Sequence, residues 1–330
     1  MKTLVMQATP QALAYAKELI EAGEVVAFHT ETVYGLGANA FDDAAVKKIF
    51  ALKGRPADNP LIAHVHAGYD ISALVETPAY TQKLREKFLP GPLTMVYPSK
   101  GKVSPAVSCG LPTLSLRVPS SKTAQAFLRA VGLPVAAPSA NRSKHVSPVT
   151  AQHVLDDFEG EIPLILDGGT CSGGIESTVL DCTGEVPSVL RAGLVTREMI
   201  AAETGACEVY VPHAGERPKS PGMAYKHYAP SCRTAFFEEG MGEDAVRCYL
   251  AERGRGGSPW FLCEHAFAAA HPSFSSLDLG ASPEEMATNL YSHLRTGERC
   301  ATLLIGIEPH GRGGVMEGVR NRMLRAFGRA

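Results

Sequence analysis

The sequence predicts a mixed α/β protein built in two parts, and three observations predict it. Helical and extended signals alternate over the first 200 residues, with more strands than a simple βαβ repeat supplies. Four prolines and two glycines then crowd the segment from Pro212 to Pro230, which reads as an ordered or semi-extended linker. A second, shorter alternation follows it. The chain has 330 residues, 45% hydrophobic and 20% charged, enough for two ordinary globular domains with real cores. The expected division is 1–207 for the first domain, 208–231 for the linker and 232–330 for the second domain.

The elements follow in order. Residues 9–22 form a helix capped by Thr9, with Pro10 in its first position and Gly23 just past its end. Glu24 to Phe28 is a buried strand running into polar His29-Thr30-Glu31-Thr32. Asp42 and Asp43 cap a helix that runs to about Lys53, with Ala45, Ile49 and Leu52 on its inner face. Strands are expected at 61–66, 93–97, 113–118, 135–137, 164–166 and 177–181, and helices at 77–88, 121–131, 149–157 and 195–204. In the second part, 234–237, 260–263 and 302–307 are strand-like and 242–253 and 314–327 helical. One further helix starts at Ser282-Pro283-Glu284-Glu285, where serine caps and the acids suit the helix dipole. This order suggests a small parallel sheet.

Charge and cysteine content narrow the function. Net charge is -2, with 18 basic and 20 acidic residues up to Cys207 and 14 of each beyond it. Neither part has the basic excess that drives nucleic-acid affinity, so a stable RNA complex is not expected. The eight cysteines include no C-x-x-C pair, which fits reduced thiols in a cytoplasm rather than a disulfide frame or zinc knuckle. No signal-peptide core and no apolar stretch near 18 residues is present, so no membrane association is expected. Gly35-Leu36-Gly37-Ala38-Asn39-Ala40 satisfies the loose dinucleotide pattern. The strand before it ends in polar residues, which argues against a Rossmann cofactor site. There is no Walker A sequence and no G-x-S-x-G elbow, and His64-x-His66 lacks a nearby third metal ligand.

Four segments concentrate chemistry. Lys53-Gly54-Arg55-Pro56-Ala57-Asp58-Asn59-Pro60 holds two cations and an amide in a stiff turn, as a polyphosphate site requires. It is equally readable as a solvated helix end. In Thr113-Leu114-Ser115-Leu116-Arg117-Val118, residues 113, 115 and 117 share one strand face, either exposed or lining a cleft where Arg117 holds a carboxylate or phosphate. Ala137 to Pro148 is a plain loop or an anion-binding one built on Ser139, Asn141, Arg142, Lys144 and Ser147. The glycines of Asp167 to Gly174 either admit a ligand to the backbone or only make tight turns.

Together these segments resemble the YrdC family in its two-domain form. The matching motifs are Thr30-Glu31-Thr32-Val33-Tyr34-Gly35-Leu36-Gly37, Lys53-Gly54-Arg55-Pro56 with Asn59-Pro60-Leu61, Pro90-Gly91-Pro92-Leu93-Thr94, Leu116-Arg117-Val118-Pro119, Pro138-Ser139-Ala140-Asn141, Glu176-Ser177-Thr178-Val179 and Leu190-Arg191-Ala192-Gly193. They stand in order over roughly 190 residues, and Ser220 to Pro230 resembles the linker signature of the two-domain form. His29 replaces a usual proline and Ala224 a common lysine.

The resemblance implies a twisted mixed sheet with flanking helices and a central cleft, followed by a small Rossmann-like α/β domain. It implies synthesis of an L-threonylcarbamoyl adenylate from L-threonine, bicarbonate or CO2, and ATP with Mg2+, releasing pyrophosphate. That is the first step of N6-threonylcarbamoyladenosine formation at position 37 of tRNAs reading ANN codons, with the product passed to separate tRNA threonylcarbamoyltransferase proteins. By similarity Thr32, His64, Arg117, Ala137 and Ser177 would hold threonine. Arg55, Asn59, Thr113, Ser139, Asn141, Ser147, Arg191 and Tyr228 would hold ATP, with Lys53 and Arg55 acting on the phosphates. Tyr225 to Tyr228 are expected on a lid over the cleft mouth, Tyr228 or Tyr225 reaching the nucleotide. The rival readings are a carbamoyl-adenylate synthase and a non-catalytic RNA-binding module.

Overall fold

A computed structural model describes residues 1–211 and 228–329. Eleven strands of the first part form one mixed sheet. In chain order they are β1 (Leu4–Gln7), β2 (Val26–Phe28), β3 (Gly35–Asn39), β4 (Ile62–His64), β5 (Leu93–Pro98), β6 (Thr113–Arg117), β7 (Val135–Ala136), β8 (Leu164–Asp167), β9 (Thr178–Asp181), β10 (Ser188–Arg191) and β11 (Glu208–Val209). Their spatial order is β1-β8-β2-β3-β7-β4-β6-β5-β9-β10-β11. Helices α1 (Pro10–Glu21), α2 (Asp43–Lys53), α3 (Thr81–Phe88), α4 (Pro105–Ser108), α5 (Lys122–Val131), α6 (Ala151–Phe158) and α7 (Arg197–Thr204) flank it.

Alternation along the strands decides which helices cover which face. Val26, Phe28, Leu164 and Leu166 pack with Ala12, Ala16 and Ile20 of α1 and with Phe127 and Leu128 of α5. Their neighbours Ala27 and Ile165 turn to the other face and join the larger core with Ile49 of α2 and Val154 of α6. The helix starts are capped as the sequence indicates. Thr9 accepts from the Ala12 N–H, and Asp42 accepts from those of Ala44 and Ala45, each cap contributing about 1 kcal/mol.

One segment departs from the sequence reading in an informative way. The dinucleotide-like Gly35 to Asn39 is β3, antiparallel to β2. A Cβ on Gly37 would stand 2.7 Å from Val135 and 2.9 Å from the Phe28 ring, so that glycine admits a neighbouring strand, not a nucleotide. The face of α2 also differs: Lys53 is buried and Leu52 only half-buried.

The second part is a four-stranded parallel sheet, β12 (Arg233–Phe237), β13 (Pro259–Cys263), β14 (Ser276–Asp278) and β15 (Leu303–Ile307), ordered β12-β15-β13-β14. Its helices are α8 (Gly242–Gly254), α9 (His265–Ala270), α10 (Pro283–Cys300) and α11 (Gly314–Ala326). Ser282 and Glu285 close a capping box at the start of α10. Helices α10 and α11 reach back to the first part, where Arg295 pairs with Asp157 at 2.7 Å and Arg322 with Glu176 at 3.2 Å. No helix among the described residues is long and apolar enough to cross a membrane.

Candidate active site

Strands β4 and β6 run parallel with His64 opposite Arg117, and β7 lies antiparallel beside β4. Chain leaving these strands, together with the turns after β2 and α2, walls a cleft with about 720 Å³ of empty space, its solvent-open mouth included. Its lining holds Lys53, Arg55, His64, Arg117, Ala137, Ser139, Asn141, Ser147, Ser177, Arg191 and Tyr228 from the sequence-derived set. It also holds Lys144, from the loop the sequence offered for an anion, and adds Thr30, Val33, Gly35, Ile62, Pro138, Ser143 and Glu176. Asn59, Thr113 and Thr32 are not brought to the lining. Thr113 opens β6 four residues before Arg117, roughly 13 Å along the strand. Thr32 is fully buried and touches the cleft through Arg117 and through the Thr30 hydroxyl, 2.9 Å from its own.

Arg117 organises one end. It is 4% exposed, which overturns the alternative of a solvated strand face. It donates from Nη1 to Thr32 Oγ1 at 2.9 Å and from Nη2 to Glu31 Oε1 at 2.8 Å. A guanidinium has five N–H donors, so three remain for a ligand. The Arg117 cation also holds the Glu31 carboxyl below its usual range against the opposing effect of burial. The Ser177 hydroxyl shares a hydrogen bond of 2.8 Å with Thr94 and lies 3.3 Å from Arg191 Nη2.

His64 stands beside Arg117, with Nδ1 3.1 Å from the Ile62 carbonyl. Burial, and then the Arg117 charge, push its imidazole down to about 3. It is therefore neutral, donates from Nδ1 to Ile62, and leaves Nε2 as an acceptor. So weak a base suits a hydrogen bond to a ligand hydroxyl better than proton abstraction. The same burial has a stability consequence. Below pH 6.5 an unfolded histidine takes a proton that folded His64 refuses until about 3, so stability rises with pH across that window and is lost as pH falls through it. Denaturant midpoints are expected to drop from pH 7 to pH 4, with a shallower drop in His64→Gln. His153, pushed down to about 4, supplies a further share of the slope in both proteins. Identical slopes would contradict this account.

The other end is cationic. Arg55 donates from Nε to the Asn59 carbonyl at 3.0 Å and from Nη2 to that of Pro60 at 2.8 Å, which fixes its plane. Burial lowers Arg55 to about 10, still a cation at neutral pH. Arg191 grips the Ser177 carbonyl from Nε at 3.1 Å and from Nη2 at 3.0 Å. Lys53 is engaged by protein: its ammonium donates to the carbonyls of Ser139 and Asn141, tying the 138–147 loop to α2. Burial, then the Arg55 charge, lower its pKa well below the ordinary value.

Two sequence alternatives are decided here. The 138–147 loop does face the cleft, except that Arg142 turns outward to pair with Glu161 and lie over the Phe158 ring. Of the 167–174 glycines, Gly168, Gly173 and Gly174 are packing residues, and Gly169 makes a turn at φ of 85°. A Cβ on Gly168 would meet His29 at 2.5 Å, and one on Gly174 would meet the α10 backbone at 2.2 Å. Of the linker aromatics, Tyr225 lies outside the described residues. Tyr228 is 5% exposed and adopts φ of 63°, a left-handed conformation costly for a non-glycine residue. It is held there by the Ala229 N–H on the Lys144 carbonyl and by the Tyr291 ring at 5.1 Å.

A cleft lined by Arg117 beside neutral His64 and by Arg55 and Arg191 offers partners for a carboxylate and for a polyanion, as an adenylate-forming enzyme requires. Residues 18–193 match the Sua5/YciO/YrdC family model, described as "Telomere recombination", and residues 195–328 match "Threonylcarbamoyl-AMP synthase, C-terminal domain". The chain belongs to this family, in its two-domain threonylcarbamoyl-AMP synthase form. It is 40% identical to the threonylcarbamoyl-AMP synthase of Bacillus subtilis strain 168, over 96% of this chain and 93% of that protein. It is 39% identical to that of Pyrococcus abyssi, over 95% and 93%. The solved structure of P. abyssi Sua5 complexed with L-threonine superposes with a TM-score of 0.90 at 34% identity, covering 99% of this chain and 97% of that one.

Proposed function

We propose that this chain joins L-threonine, bicarbonate or CO2, and ATP into L-threonylcarbamoyl-AMP, releasing pyrophosphate. The observation that carries the reading is that one cleft is lined both by Arg117 and His64, which stand opposite each other on β6 and β4, and by Arg55 and Arg191. The first pair suits an amino acid's carboxylate and hydroxyl, the second a triphosphate. The L-threonine complex of the P. abyssi relative supports L-threonine as a substrate.

Arg117, backed by Thr32, pairs with the threonine carboxylate between Ala137 and Ser177, and neutral His64 accepts from the threonine hydroxyl. The deprotonated amine adds to CO2, its proton leaving to solvent. One carbamate oxygen then attacks the α-phosphorus as the bond to pyrophosphate breaks. No covalent enzyme intermediate is needed. A carbamate is short-lived in water, so burial of the threonine end protects it. Arg55 and Arg191, with Lys53 fixing the loop that carries Ser139 and Asn141, stabilise charge on the phosphates. Ser147 and Tyr228 complete the proposed nucleotide set, with the Asn59 carbonyl holding Arg55 in place. The lining's one carboxylate, Glu176, is engaged by protein donors, so Mg2+ is taken to arrive with ATP as part of the substrate.

Threonylcarbamoylation of adenosine at position 37 in tRNAs reading ANN codons is the proposed use of the product, in the cytoplasm and through separate transferase proteins. The proposed division is 1–207, linker 208–231 and 232–330, with Glu208–Val209 pairing to β10 as the last strand of the first sheet. Incubation with ATP, L-threonine and carbon-labelled bicarbonate tests the reaction. Label is expected on a nucleotide that releases threonine on hydrolysis; a labelled nucleotide formed equally without threonine would overturn the reading.

A further inference from the structure

The most deeply buried guanidinium among the described residues belongs to the second domain and is aimed at the first. Arg322 of α11 is 0% exposed. It donates from Nε to Glu176 Oε2 at 3.2 Å, from Nη2 to the Glu176 carbonyl at 3.4 Å, and from Nη1 to the Ala192 carbonyl. Tyr291 of α10 donates its hydroxyl to the same Oε2 at 2.7 Å. The remaining oxygen, Oε1, accepts from the Ser147 hydroxyl at 2.7 Å. Glu176 thus joins two second-domain side chains to a cleft serine, and it directly precedes Ser177, whose carbonyl Arg191 grips.

The packing around this link leaves little room for adjustment. A Cβ on Gly318 of α11 would stand 3.3 Å from Gly193 Cα, and one on Gly193 would meet the Thr178 N at 2.5 Å. The Tyr291 ring also supports Tyr228 from behind. Charge adds to geometry. The Arg322 and Arg191 cations and the Ser147 and Tyr291 hydroxyls hold the Glu176 carboxyl down at about 2 despite its burial. An unneutralised carboxylate here would face the same cleft as a triphosphate.

From these contacts we infer that Tyr291 and Arg322 are positioning residues of the nucleotide end, setting Ser147 through Glu176, with the Tyr291 ring backing Tyr228. The second domain is then part of the catalytic apparatus rather than an appended module. This inference rests on the proposed reaction.

The test measures ATP affinity and steady-state kinetics in Tyr291→Phe and Arg322→Met beside the unaltered enzyme. Tyr291→Phe keeps the ring under Tyr228 and removes only the hydroxyl. It is expected to raise the ATP KM about five- to tenfold, leave the threonine KM within about twofold and shift the melting temperature little. Arg322→Met is expected to do more, and if it fails to fold Tyr291→Phe decides. In a Ser147→Ala background, Tyr291→Phe is expected to add no more than about twofold, because the chain it acts through is already cut. An unchanged ATP KM in folded Tyr291→Phe, or full additivity with Ser147→Ala, would overturn the inference. Failure of the unaltered enzyme to bind ATP would instead sink the proposed reaction.

Discussion

Arg55→Ala is expected to cut turnover about a thousandfold while leaving the fold intact. Arg55 sits in the loop after α2, where it is half-buried and donates to the neighbouring carbonyls of Asn59 and Pro60, so its loss opens no core. Those two bonds fix its plane before ATP arrives, and a preorganised cation against developing phosphoryl charge is worth roughly 10²–10³ in rate per donor group. Arg191 shares the task, which is why activity should fall without vanishing. Arg55→Lys keeps the charge but not the fork and should recover about a tenth of the loss. Circular dichroism and single-turnover pyrophosphate release check both. A loss confined to the threonine KM would mean that Arg55 serves the other end.

Arg117→Lys is expected to raise the threonine KM about a hundredfold with the ATP KM nearly unchanged. Lysine is the informative change. Alanine would leave Glu31 buried and unpaired, a loss of roughly 3–5 kcal/mol that confounds binding with folding. Lysine can keep the Glu31 pair but cannot also serve Thr32 and a carboxylate in one plane. Losing a charge-assisted bidentate contact costs about 2–3 kcal/mol, which is the hundredfold effect. Effects falling equally on both substrates would assign Arg117 to general architecture.

Most of the fold was legible because its signals are local. Thr9 and Pro10, Asp42, and the Ser282 to Glu285 box marked helix starts that the structure reproduces. What escaped lacked such signals. Strand β3 is rich in glycine and has low strand propensity; its pairing with β2 and β7 creates it. β1 is four mostly exposed residues stabilised by pairing with β8, 160 positions away at Leu4 and Leu164. Strand β14 and helix α9 are short, and the latter buries no residue.

The cleft was legible for a different reason. Arg55, Ser139 and Asn141 stand in loops whose density in donors and prolines already suggested anion binding, whereas Arg117 and Arg191 end strands β6 and β10. Glu176 was visible as a motif residue, but nothing local says that its carboxylate faces Ser147. That follows only when Tyr291 and Arg322 arrive from more than a hundred residues further on. Arg142 erred in the other direction. Its position in a donor-rich loop suggested the cleft, whereas Glu161 and Phe158 hold it outside.

The central claim is that one cleft binds threonine and ATP and couples them. Its most direct test is pyrophosphate release from ATP with Mg2+ and bicarbonate, measured with and without L-threonine. The account predicts release that depends on threonine, saturates with it and is lost in Arg55→Ala. Release indifferent to threonine would contradict it and favour a carbamoyl adenylate, and no release under any of these conditions would contradict it outright.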